Sequence, residues 1–398
     1  MSEQSHLFPT YARFPITLVK GKGSRLWDNT GKQYLDFMSG LAVTNLGHAP
    51  DAVKDALVSQ LDELWHVGNL FHIPNQEKLA KLLTDNSCAD RVFLCNSGAE
   101  ANEAAIKLAR RYHSKVLGTG KYEIITFDMS FHGRTLATLT ATGQDKVKDG
   151  FYPLPEGFVY APFNDADALK GFITDKTCAI MLEMVQGEGG VNPASEPFVQ
   201  EVVRLCKEHD LLLIVDEIQT GMGRTGKLFA YEHYGIEPDI FTLAKGIASG
   251  FPMGAMLGKE KLAAAFTPGA HATTFGGTPI ATATAVATIE LMLEQKLAQR
   301  AEQVGNKLIA ELNARLAGNP LLKQVRGKGL LIGVELTVPA AEVIPALHEA
   351  GLLVIPAGPN VVRLLPNLLV TEEELEEGIS LMNQVLTEKA KAAAGTNA

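Results

Sequence analysis

The apolar positions of this chain fall into short uninterrupted runs separated by amphipathic stretches. Six runs, at 91–95, 122–127, 179–185, 211–215, 239–243 and 252–257, predict strands, and several lack the in-out alternation of a half-exposed sheet. Strands of that kind suit a sheet covered on both faces. Helical stretches at 99–114, 165–172 and 197–209 separate most of them. This rhythm predicts an α/β fold with a mainly parallel central sheet and ligands at the carboxyl ends of its strands.

The pattern changes after Thr278-Pro279. Residues 280–316 are rich in Ala, Leu, Glu, Lys and Gln and predict one long or broken helix, ended by Gly318-Asn319-Pro320. Three short apolar runs follow at 330–336, 352–355 and 361–365. A closing helix starts at Thr371, where Thr371 and Glu374 have capping-box spacing. The expected division is a large α/β domain over 51–295 and a smaller α/β domain over 296–398, with the irregular, glycine-bearing segment 1–50 packed on the latter. The last ten residues are expected to fray.

Composition narrows the function classes. The 398 residues carry 36 Lys and Arg against 45 Asp and Glu, a net charge of −9, which argues against a general nucleic-acid binder. Cys88, Cys95, Cys178 and Cys206 form no C-x-x-C pair, so no zinc or redox motif is indicated and no metal is expected. No secretory pattern opens the sequence and no run is long enough to span a bilayer, so the expected location is the cytoplasm.

A glycine string, Gly221-Met222-Gly223-Arg224-Thr225-Gly226, matches G-x-G-x-x-G and most of a P-loop. Leu228 stands where a P-loop needs Ser or Thr after its Lys, and the string neither follows its strand directly nor opens a helix. It reads better as a flexible loop near the active site. The chemistry lies around it. Asp216 ends an apolar strand, and Lys245 follows another, where partial burial favours its neutral, nucleophilic form. Asn96-Ser97-Gly98-Ala99-Glu100 joins a strand to a helix, with Ser97 and Glu100 spaced as a cap and free N–H groups suited to a phosphate. Phe131-His132-Gly133-Arg134 follows a third strand. A phosphate cradle, a carboxylate, a lysine amine and a stacking aromatic together are what pyridoxal phosphate requires.

Over nearly its whole length the sequence resembles the class III pyridoxal-phosphate aminotransferases of fold type I, closest to their acetylornithine branch. The most specific block is Asp216-Glu217-Ile218-Gln219-Thr220-Gly221-Met222-Gly223-Arg224-Thr225-Gly226. The resemblance also runs through Tyr34-Leu35-Asp36, Leu46-Gly47-His48, Gln186-Gly187-Glu188, Thr274-Phe275-Gly276-Gly277 and Val362-Arg363-Leu364-Leu365-Pro366. It implies that Lys245 is the Schiff-base lysine, that Asp216 pairs with the pyridine nitrogen, and that Phe131 stacks on the ring with His132 beside it. Gln219 would bond the ring hydroxyl, and Ser97, Gly98 and Ala99 the phosphate. Thr274 would reach the phosphate of a neighbouring subunit, so a homodimer with shared sites is implied. Glu183 would have a supporting role at most.

For substrates, the resemblance assigns Arg134 to the α-carboxylate of an ornithine derivative and the side-chain carboxylate of glutamate. Arg363 would take the α-carboxylate of glutamate, and Glu188 would mask Arg363 while the amine donor reacts. Tyr11 would help position the substrate. The implied reaction moves the ω-amino group of N2-acetylornithine to 2-oxoglutarate, as in arginine biosynthesis. Ornithine, succinylornithine and 4-aminobutyrate transamination are alternatives. A racemase, an aminomutase and a non-catalytic homologue are further readings, disfavoured by the two arginines and the complete catalytic set. The sequence departs from the family pattern at Ser97, at Thr278, after His48 and at Met184, without loss of a catalytic group.

Overall fold

The apolar runs pair as their unbroken hydrophobicity requires. In the computed structural model, which describes residues 6–395, seven strands form the central sheet in the order Arg91–Cys95, Gly254–Gly258, Ile240–Leu243, Leu212–Asp216, Thr177–Leu182, Glu123–Phe127, Phe158–Ala161. Thr177–Leu182, Leu212–Asp216 and Ile240–Leu243 are buried along their whole length, because helices cover both faces. All neighbours pair in parallel except Gly254–Gly258, which runs antiparallel to both of its partners. The carboxyl ends of Arg91–Cys95, Glu123–Phe127, Thr177–Leu182, Leu212–Asp216 and Ile240–Leu243 therefore lie along one edge.

The segment 1–50 is more regular than its glycines suggested. Leu18–Lys22, Arg25–Asp28 and Gln33–Asp36 form an antiparallel meander, and Gln33–Asp36 also pairs in parallel with Leu352–Leu353. Gly23 and Gly31, at φ +55° and +90°, make its turns, conformations that side chains disfavour. Residues 280–316 are a broken helix: Pro279–Glu294 and Leu297–Arg315 flank Lys296, which stands at φ +51°. Beyond it Leu322–Lys328, Leu331–Leu336, Val361–Leu364 and Ile355–Ala357 form an antiparallel sheet. The expected cap at Thr371 is complete, since Thr371 N donates to Glu374 Oε2 (2.9 Å) and Glu374 N to Thr371 Oγ1 (3.2 Å).

The closing helix runs Glu372–Gly395, so the chain is helical well into the stretch expected to fray, while 396–398 lie outside the described residues. The reading of the N-terminal leader likewise rests on 1–5, also outside them. Among the described residues no helix is long and apolar enough to cross a membrane, and no group of three or more His, Cys, Asp or Glu could hold a metal ion.

Candidate active site

Strand Arg91–Cys95 delivers the chain into helix Gly98–Arg111. Ser97 caps it: its Oγ accepts from Glu100 N (3.2 Å). The Glu100 carboxylate reaches back one residue further than a capping box does, taking Asn96 N (2.6 Å) and Asn96 Nδ2 (2.9 Å). The first N–H groups of the helix, from Gly98 and Ala99, have no intrahelical acceptor and present an anion cradle. Gly98 leaves room there for the Ile218 side chain, which a Cβ would approach to 2.8 Å at Cδ1.

Asp216 ends its strand buried inside a polar network. Its Oδ2 accepts from His132 Nδ1 (2.8 Å) and Asn102 Nδ2 (2.8 Å), and its Oδ1 from Ile218 N (3.0 Å). Burial pulls the His132 pKa down, but the hydrogen bond and charge of Asp216 outweigh it and hold the ring above the ordinary histidine value. The next acid, Glu217, is turned away from this chemistry. It accepts from Thr220 Oγ1 (2.5 Å) and Tyr231 N (2.9 Å), and burial pushes its carboxyl up to about 7.

Lys245 follows Ile240–Leu243 in the left-handed region at φ +42°. A non-glycine residue held there costs about 1–3 kcal/mol, a strain found mostly at functional positions. Among the described residues its ammonium makes no ion pair within 4 Å. Burial lowers the pKa of the amine, with the nearby Glu188 carboxylate pulling the other way.

The second charge centre is Arg363 on strand Val361–Leu364, with its side chain 1% exposed. Its Nη1 donates to Glu188 Oε1 (2.6 Å), Gln219 Oε1 (3.0 Å) and the Gly187 carbonyl (2.9 Å), and its Nη2 to Glu188 Oε2 (3.1 Å). Gln219 Nε2 also donates to Glu188 Oε1 (3.2 Å). Burial pushes the Glu188 pKa up, but Arg363 overrides it and holds the carboxyl at about 2. Gly187 makes the cluster possible, because a Cβ there would overlap Gln219 Oε1. Among the described residues Glu183 accepts only from Phe131 N (3.0 Å), and burial pushes its carboxyl up to about 7.

These groups share one cavity of about 350 Å³, lined by Ser97, Gly98, Ala99, Phe131, His132, Glu183, Glu188, Asp216, Gln219 and Lys245, among others. Arg363 stands behind Glu188 and Gln219 rather than on the wall. Arg134 is exposed, its guanidinium 5.6 Å from the centre of the Phe131 ring and outside the lining. Tyr11 is exposed beside Arg13, and Thr274 is exposed too; neither lines the cavity. Sequence reasoning missed Asn102, Thr242 and Ile218. It also expected the glycine string to be flexible, whereas residues 220–226 are buried and Arg224 bonds Asn45 Oδ1 (2.9 Å), the Leu330 carbonyl (3.1 Å) and the Pro366 carbonyl.

The set fits pyridoxal phosphate. An unpaired amine, a carboxylate with accepting capacity to spare, an aromatic ring and a helix start kept open by a glycine all border a single cavity.

Comparison with known proteins bears on the same point. Residues 8–386 match the family Aminotransferase class-III. The chain is 53% identical over 383 residues to the acetylornithine aminotransferase of Bacillus subtilis, covering 96% of this chain and 98% of that one. It is 51% identical over 384 residues to the acetylornithine aminotransferase of Oceanobacillus iheyensis, covering 96% of each. Among solved structures, the ornithine aminotransferase from Toxoplasma gondii superposes with a TM-score of 0.94 at 33% identity, covering 97% of this chain and 94% of that one. The N-acetylornithine aminotransferase from Stenotrophomonas maltophilia gives 0.84 at 37%, covering 96% and 98%. Sequence and fold agree over almost the full length, and the chain belongs to the class III aminotransferases.

Proposed function

We propose that this enzyme transfers the ω-amino group of N2-acetylornithine to 2-oxoglutarate, giving N-acetylglutamate 5-semialdehyde and glutamate. The cofactor is pyridoxal 5'-phosphate, which when bound supplies an aldehyde for amines and a ring that takes up electrons from a carbon losing its proton. Lys245 would hold the aldehyde of the bound cofactor, and its Nζ, as a neutral amine, would be the group that takes up and returns a proton at the substrate carbon. Asp216 would accept from the ring nitrogen and keep it protonated, Phe131 would stack on the ring, Gln219 would bond its hydroxyl, and Ser97, Gly98 and Ala99 would hold the phosphate.

The observation that carries this reading is the ion pair of half-buried Glu188 with buried Arg363 beside Lys245. One site must accept an amine donor and then a dicarboxylate. An arginine neutralised by an internal carboxylate is compatible with the first and, once Glu188 moves aside, clamps the second bidentately. Arg134 would hold the α-carboxylate of the donor and the side-chain carboxylate of glutamate, with Tyr11 assisting. Thr274, exposed and outside its own cavity, is assigned to the phosphate of a second copy in a homodimer. The four free cysteines suit a reducing cytoplasm.

A rate comparison with 2-oxoglutarate as acceptor tests the donor. Acetylornithine is expected to outrun ornithine and 4-aminobutyrate in kcat/KM, and a preference for 4-aminobutyrate overturns the assignment. Ornithine is the second reading, favoured by the close superposition on the Toxoplasma gondii enzyme.

A further inference from the structure

Asn102 is a polar side chain that the fold both buries and uses completely. It lies in helix Gly98–Arg111 and is fully buried. Its Nδ2 donates to Asp216 Oδ2 (2.8 Å) and to the His132 carbonyl (2.7 Å), and its Oδ1 accepts from Thr242 Oγ1 (2.8 Å). Thr242 is fully buried on strand Ile240–Leu243. A hydroxyl has one proton to give. Spending it on Oδ1 fixes which way round the amide stands, with its NH2 group toward Asp216.

The two oxygens of Asp216 are consequently unequal. Oδ2 receives two donors, from His132 and Asn102, whereas Oδ1 receives only Ile218 N. A carboxylate oxygen accepts about two hydrogen bonds, so Oδ2 is saturated and Oδ1 has room for one more. The groups facing this carboxylate are His132 from the segment after Glu123–Phe127, Glu183 at the end of Thr177–Leu182 and Lys245 beyond Ile240–Leu243. None of them takes over the position of Asn102 Nδ2.

We propose that Asn102 is a positioning residue which, backed by Thr242, occupies Asp216 Oδ2 and so reserves Oδ1 for the protonated ring nitrogen of the cofactor. The inference rests on the reading that this cavity holds pyridoxal phosphate. Without the amide, Oδ2 keeps only His132 Nδ1 and Oδ1 only Ile218 N, so the carboxylate is less firmly oriented. The ring nitrogen then loses a fixed partner and its proton is held less firmly. Substrate carboxylates bind elsewhere, so their affinities are not involved.

The test uses holoenzyme carrying cofactor labelled with nitrogen-15 in the ring, in wild type, Asn102→Ala and Thr242→Val. The ring nitrogen signal is expected at the protonated position in wild type. It should move toward the unprotonated position in Asn102→Ala, and less far in the same direction in Thr242→Val. Single-turnover rate constants of both half-reactions are expected to fall together, roughly tenfold or more in Asn102→Ala, as for loss of a hydrogen bond to a charged group, with substrate affinities unchanged.

If Asn102→Ala does not fold, Thr242→Val decides alone, since it keeps the side-chain volume and the asparagine. Variants that lose thermal stability but keep the wild-type nitrogen signal and rates overturn the positioning role. Wild type that retains no cofactor, with none trapped on Lys245 by borohydride, overturns the functional reading instead.

Discussion

Two carboxyl groups on the wall of one cavity are driven in opposite directions. Burial raises both, yet Arg363 reverses the effect at Glu188 and holds it at about 2, while Glu183 has no cationic hydrogen-bond partner and stands at about 7. A buried acid whose folded value exceeds its unfolded one stays protonated in the fold after the unfolded chain has ionised. Its contribution therefore becomes a penalty as pH rises from the unfolded value through the folded one. Glu183→Gln removes that penalty. The variant is expected to match wild type near pH 4 and to exceed it by about 2–3 kcal/mol above pH 8, measured by urea unfolding across that range. A constant difference at all pH values would refute the assignment. At this scale the sequence disclosed Asp216 because it ends an apolar strand and Lys245 because it follows another. It concealed Asn102, which reads as one more polar residue in an Ala-rich helix; its partner Asp216 is remote in sequence, and only the fold brings them together.

Among the elements, the buried strands were the most legible. The run predicted at 91–95 is the strand observed, and the other five central runs match within a few residues, because strands buried on both faces leave no polar positions to blur them. Strands without an apolar run were not legible, whereas Arg91–Cys95 was, although it is only partly buried. Leu18–Lys22 is nearly all exposed and Leu322–Lys328 is mostly polar, so neither carries an apolar run. Helix Leu297–Arg315 supplies a clean packing test. Gly305 faces the turn between Leu322–Lys328 and Leu331–Leu336, where an added Cβ would overlap the Gly329 carbonyl. Backbone cannot yield as a side-chain tip does. Gly305→Ala is expected to cost about 1–3 kcal/mol in denaturant unfolding, and an unchanged midpoint would show that the helix can slide.

At the scale of the molecule, apolar surface gathers where the dimer reading needs it. Trp65, Leu70, Phe71 and Phe275 are 62%, 94%, 66% and 61% exposed. They belong together, since the His66 ring lies 5.1 Å from that of Phe275 and Asn69 Nδ2 donates to the carbonyls of Thr273 and Gly276 (both 3.1 Å). Thr274 sits in the middle of this loop. A clustered apolar face of this kind is what a second copy would cover if the chain pairs as proposed. Sedimentation at micromolar concentration is expected to give twice the 42.8 kDa chain mass. Phe71→Asp with Phe275→Asp should yield single chains that bind cofactor at least tenfold more weakly. Single chains with wild-type cofactor affinity would exclude a shared site.

The one strand that runs backwards, Gly254–Gly258, meets the cavity with its beginning. Gly254 lies so close to Ser97 that a Cβ would come within 2.5 Å of the Ser97 carbonyl, and only the short return Ser249-Gly250-Phe251-Pro252-Met253 separates it from the helical turn Lys245–Ala248. In the proposed arrangement the lysine that would carry the cofactor is thus joined by a short stretch of backbone to the rim that would hold its phosphate. Under that proposal the Ser97 rim, packed against Gly254, would be what keeps the cofactor seated whenever its link to Lys245 is open.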